Sequence, residues 1–314
     1  MPKIDFCFVH QNDDRKFNRG ALKNIGYDIE SKGDGVSVVG ILDDSPVQNK
    51  LKKGDLLNSI NGIEISSASE FISTLSAVSA WTNRVEIIAT ISILTMHNPT
   101  LCAKQFATID MLSEGRFTLG VGVGGREEDY TAIDANWSDR RWAKLAKNVK
   151  TMQSIWSKEL HSEMGPSTHS KNGPEILAGA VGPKAMKMSA DFSSGLAGFS
   201  FNADINEIKD SFSRVIEAFS QQNKSPRLIT SFWFGLGKLG REDIEVHLNS
   251  YLGWMGNDLA KNLSKTAGFS GSQDSLKDFL IEIMDSGATD IILVPTSKNI
   301  DQLSMAEEVV SQLT

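Results

Sequence analysis

The chain has little cysteine, proline or tyrosine: two, eight and three residues of 314. Two cysteines, Cys7 and Cys102, cannot build a disulfide framework or a four-thiolate zinc site, and each lies in an apolar stretch, so both are expected as buried free thiols. Among the five histidines, His161, His169 and His247 share no metal-ligand spacing, and no metal site is expected. Basic excess is also missing. The 32 Lys and Arg are outnumbered by 39 Asp and Glu, for a net charge of −7, with no long basic run. Nothing is left to neutralise a phosphate backbone, which argues against a nucleic-acid partner. No uninterrupted apolar stretch approaches the ~18 residues that read as a membrane span. The start, MPKIDFCFVHQNDD, lacks the charged, apolar and small-residue regions of a signal peptide, so a cytoplasmic protein is expected.

What is present is ordinary globular material, 40% hydrophobic and 23% charged. The length suits one α/β barrel, typically about 200 to 250 residues, with a small module attached. KIDFCFVH reads as a buried strand closed by the polar cluster QNDD. From Asp13 to about Ser76 short strands alternate with turn clusters such as GDG and DDSP, a small all-β texture. From Ser67 onward helix alternates with strand, beginning with SASEFISTLSAVSA and the near-continuous apolar run VEIIATISIL. The expected organisation is a first barrel strand over 1–10, an insertion over 11–76 and the remaining barrel over 77–314. Seven barrel-type strands are legible, and the missing eighth falls where the all-β segment sits. That arrangement predicts a barrel that is open or that borrows a strand from the insertion.

Two segments resemble known families. TNRVEIIAT, then HNPTLCAKQFATIDMLSEGRFTLGVGVGG, then DRRWAKLAKNVKTMQSIW resembles the bacterial luciferase-like flavin-dependent monooxygenases. PEILAGAVGPKAMKMSA resembles that family's fifth strand and phosphate loop, and GATDIILVP its last strand, so the likeness runs over about 81–310. Upstream, NIGYDI, GVSVVGILDDSPV and LKKGDLLNSINGIEISSASEF resemble a PDZ domain, with Ile25, Gly26 and Tyr27 at the loop that captures a peptide C-terminus. The fold implied is a TIM-type (β/α)8 barrel, incomplete or altered, with a PDZ-like insertion after the first strand. The sequence departs from the luciferase pattern in two places. No second-strand histidine aligns, and Gly122 stands where luciferases carry a cysteine.

Ligand groups of such a barrel gather just past the strand C-termini. Gly179, Ala180, Val181 and Gly182 lie between a strand and a helix start; with Lys184 they suit the phosphate of FMN, although a bare Gly-x-x-Gly is more often a simple turn. The resemblance implies that Gly122, Gly124 and Gly125 let a flat ring approach the backbone, and that Thr90, Ser92 and Thr95 hydrogen-bond its edge. His10 and His97 follow strands and are candidate general acids or bases, against the ordinary reading of solvated loop histidines. Arg140 suits a phosphate or carboxylate, or else a solvated helix start. Trp137, Trp142 and Trp156 read as core or interface anchors. The activity implied is flavin-dependent oxygenation or hydride transfer on a small organic substrate, with FMN, or a deazaflavin as second choice, as cofactor. No nicotinamide fingerprint of the GxGxxG kind follows a strand in a suitable βαβ unit, so a separate flavin reductase is the expected partner, and the family resemblance implies a homodimer. The rival readings are a non-catalytic flavin-binding accessory protein and a PDZ-type peptide-binding adaptor.

Overall fold

Helices and parallel strands alternate from Ala68 to Ser311 in the structure, a computed structural model that describes residues 68–313, except 139 and 298, together with six short strands before them. Those are β1 (Lys3–Phe6), β2 (Val9–His10), β3 (Gly35–Ser37), β4 (Leu56–Leu57), β5 (Ser59–Ile60) and β6 (Ile63–Glu64). β3 pairs antiparallel with β2 and with β4, and β5 pairs antiparallel with β6. β3 to β6 fall within the segment read as a PDZ-like insertion, and most of the rest of that segment lies outside the described residues. The peptide-binding loop expected at Ile25, Gly26 and Tyr27 lies outside the described residues, as does Cys7.

The chain divides into two units, one of Met1–Ser66, Phe199–Ser213 and Leu228–Thr314, the other of Ser67–Gly198 and Arg214–Arg227. The second unit begins with α1 (Ala68–Trp81), β7 (Ile87–Ser92), α2 (Pro99–Leu112) and β8 (Phe117–Val121). It continues with α3 (Glu127–Thr131), α4 (Arg141–Trp156), β9 (Glu175–Ala178), α5 (Pro183–Ser189) and β10 (Gly195–Ala197). β7, β8, β9 and β10 are parallel neighbours in that order. β7 thus belongs to the parallel sheet, with α1 before it, as the alternation from Ser67 onward predicts. All five residues of β8 are buried, as a strand covered on both faces requires. The core joins Phe106, Phe117, Leu119, Leu145, Val149, Met152 and Trp156, with the Phe106 and Phe117 rings stacked at 5.9 Å. Trp156 is a core anchor, as expected: its indole N–H donates to the Ala103 carbonyl at 2.9 Å.

Local sequence explains where these elements start. Asn98 accepts hydrogen bonds from the Thr100 and Leu101 amides at 2.9 and 3.2 Å, and Pro99 occupies the first helical position, so α2 begins at once after His97. At the opposite ends of the strands, Arg227 binds both carboxylate oxygens of Glu86, at 2.7 and 3.0 Å, and reaches Glu175 at 2.8 Å. Thr118 donates to the same Glu86 at 2.6 Å. Charge is therefore paired at the end of the unit remote from the strand exits.

α6 (Ile205–Ser220) buries Ile208, Phe212, Val215 and Phe219 along one face. In the first unit the chain continues through β11 (Arg227–Leu236), α7 (Gly240–Tyr251), α8 (Asn257–Ser264), β12 (Phe269–Gly271), α9 (Gln273–Asp285), β13 (Asp290–Pro295) and α10 (Ile300–Ser311). β13 pairs parallel with β1 and β11, and β12 pairs parallel with the last residues of β11. β12 is an additional parallel strand that sequence patterning did not reveal. The buried Gln302 pins α10 to β11, accepting from the Leu236 amide at 2.7 Å and donating to its carbonyl at 3.0 Å.

Candidate active site

Three consecutive strand exits are stitched together in the second unit. The Gly122 amide donates to the Ser92 carbonyl at 3.0 Å, joining the ends of β7 and β8. The Gly179 amide donates to the Val121 carbonyl at 2.9 Å, joining β8 to β9. The chain at Ser92, Gly122 and Gly179 therefore lies at one end of this sheet.

The space beside the glycines is not empty. The register of β7 against β8 shifts between Ala89 and Ser92, and the Thr90–Ile91 peptide within that bulge is cis. Ile91 projects from the bulge across the glycines. A Cβ placed on Gly122 would lie 2.2 Å from Ile91 Cδ1, and one on Gly179 would lie 3.0 Å from the same atom. This corrects the expectation that a flat ring lies directly on Gly122: the absent side chain makes room for Ile91. Ile91 itself stays 37% exposed, so its outer side offers an apolar surface at the strand ends. Sequence reading missed it. The available signal was the repeated glycine at neighbouring exits, which implies one large side chain opposite.

The other predicted residues divide clearly. Thr90 is exposed and Ser92 half-buried, both beside Ile91. Thr95 is fully buried, which corrects its assignment as a ring contact. Its hydroxyl bonds the hydroxyl of Tyr130, which donates to the Val123 carbonyl at 2.6 Å. A phenol has one proton, already given to Val123, so Thr95 is the donor in the first bond and has no proton left for a ligand. His97 is half-buried next to the α2 cap, and burial lowers its pKa from the usual histidine value. Gly124 has φ +66° and lies against Ile93, whereas Gly125 has open space where a side chain would stand.

Past β9, Ala180 is buried, Val181 is 86% exposed and Gly182 has no atom within 4 Å of a built Cβ. The amides of Val181 and Gly182 find no hydrogen-bond partner among the described residues. Lys184 is exposed beside them. Arg140 is exposed ahead of α4, where its amide bonds the Ser138 hydroxyl at 3.2 Å, and no described contact draws its side chain to the strand exits. His10 is corrected in position. His10 belongs to β2 and pairs with Gly35 in the antiparallel ladder, apart from the parallel β1 that it was expected to end. A separate groove of about 610 Å³ runs along α4 and α5, lined by Ala146, Lys150, Thr151, Leu160 and Met188, and includes none of the predicted site residues. Among the described residues no cluster of ligating side chains suits a metal ion, and no helix is long and apolar enough to cross a membrane.

Parallel strands alternating with helices define the class, an α/β protein. The sequence profile of the luciferase-like monooxygenases matches residues 59–272, more than half of the chain, and the protein belongs to that family. An F420-dependent glucose-6-phosphate dehydrogenase of Kribbella flavida is 37% identical over 97 residues, 29% of this chain and 28% of that protein. An FMNH2-dependent dimethylsulfone monooxygenase of Pseudomonas fluorescens is 29% identical over 125 residues, 36% of this chain and 34% of that protein. The matched stretches span 26 to 40% of the length of such curated relatives. A monooxygenase from Streptomyces bottropensis superposes with a TM-score of 0.60 at 17% identity, over 77% of this chain and 83% of that one, which shows a common fold. At family level the chain is therefore related to oxidoreductases that use flavin-type cofactors.

Proposed function

We propose that the exits of β7, β8 and β9 hold a flavin-type cofactor, FMN or the deazaflavin F420, for oxygenation or hydride transfer on a small organic substrate. The observation that carries this reading is the exposed face of Ile91, set on a glycine cradle between two open turns at Gly125 and Gly182. An apolar side chain held from behind by two strand exits is a firm support for a planar ring. The unpartnered Val181 and Gly182 amides, with the Lys184 ammonium, suit the phosphate. His97 stands on the adjoining loop as the candidate proton donor or acceptor, and burial favours its neutral form. When bound, the cofactor supplies the redox chemistry; the protein's residues orient it and keep water away.

Visible absorption of the purified protein, titrated separately with FMN and with F420, tests the proposal. The expected result is a stoichiometric complex with one of the two, weakened at least tenfold by Ile91→Asp. Protein that leaves both spectra unchanged sinks it.

A further inference from the structure

Tyr130 is wholly buried, yet it belongs to a five-residue helix whose other side chains face outward or stand half-buried. Its hydroxyl is the single link in a two-bond chain from Thr95, on the β7 exit, to the Val123 carbonyl, on the β8 exit. The ring is held edge-on by Trp137 at 5.0 Å, and Trp137 is in turn covered by the Arg141 guanidinium at 3.4 Å. A second brace lies alongside. Asn148, buried on α4, donates to the Leu94 carbonyl at 3.1 Å. The 3₁₀ turn Leu94–Met96 is thus gripped by polar groups from α3 and α4, and the His97 amide closes it on the Leu94 carbonyl at 3.3 Å. Buried hydroxyls carry a large penalty if left unpaired, so this chain holds one arrangement of the two exits in preference to others.

We propose that Tyr130 is a positioning residue, fixing the His97 loop against the glycine turn after β8 so that both are presented to the cofactor together. The link to a cofactor rests on the function proposed above; the brace itself does not. Phe at this position keeps the ring packing and deletes only the bridging hydroxyl.

The test uses the full chain without ligand first. Tyr130→Phe and Thr95→Val should each accelerate amide hydrogen exchange over residues 93–97 by about tenfold and shift the NMR resonances of the His97 ring. The double variant should add nothing further, since both changes break one chain. Met152→Ala, a core truncation on α4, serves as the stability control and should leave the His97 resonances in place. If exchange over 93–97 rises no more in Tyr130→Phe and Thr95→Val than in Met152→Ala, the brace is refuted. FMN and F420 titrations then address the ligand. Loosened exits with unchanged affinity overturn the positioning role, whereas wild-type protein that binds neither cofactor overturns the flavin reading and leaves the exchange data to decide the brace.

Discussion

Gly173 adopts φ +93°, and a Cβ there would lie 2.1 Å from the Trp156 ring. Two independent costs therefore fall on one substitution: a left-handed backbone carrying a side chain, and overlap with a buried indole whose N–H is already committed to Ala103. Gly173→Ala is expected to cost about 3 kcal/mol or more, read as a lowered urea midpoint with little change in slope. Cys102 shows how burial acts on a titrating group. Desolvation raises its thiol pKa to about 11 from 9.0. A raised folded-state value means that the neutral thiol contributes stability below pH 9, and that this contribution falls away between pH 9 and 11 as the unfolded chain ionises first. Relative to Cys102→Ala, wild-type protein should lose roughly 3 kcal/mol across that window, and the thiol should resist alkylation at pH 8.

At the scale of elements, β7, β8 and the β9 exit are matched through a single side chain. The three atoms nearest to a Cβ on Gly122 all belong to Ile91, whereas the nearest atom for Gly120 is the Ala89 carbonyl oxygen at 2.3 Å. The two glycines therefore behave differently under the same change. Gly122→Ala should lose about 2 kcal/mol and regain most of it when combined with Ile91→Ala, because removing Cδ1 clears the overlap. Gly120→Ala should resist rescue, since backbone cannot be trimmed. Equal behaviour of the two double variants in urea unfolding would show that Ile91 is not what the Gly122 site accommodates. The helix starts, by contrast, have local causes. Asn98 and Pro99 announce α2, and Ser272 and Asn299 cap α9 and α10 with their own side chains. β12 escaped notice because Phe-Ser-Gly is too short for periodicity and exists only by pairing with β11.

For the molecule as a whole, cofactor binding and stability are linked by mass action. Free ligand at about 100 times its Kd adds ~2.7 kcal/mol to the folded state, so on the function proposed above the cofactor that binds should raise the melting temperature by several degrees. Thermal melts with FMN and with F420 separate the two. The amino-acid sequence by itself determined the alternation of helices and parallel strands, the helix caps and membership of an oxidoreductase family, because periodicity and capping depend on residues within a few positions of one another. Only the tertiary structure decided that Ile91 fills the space beside Gly122 and Gly179, and that Thr95 spends its proton on a tyrosine 35 residues away. Which atoms occupy a gap, and which hydroxyl finds a partner, depend on strands and helices brought together from distant parts of the chain, and no local pattern encodes that meeting.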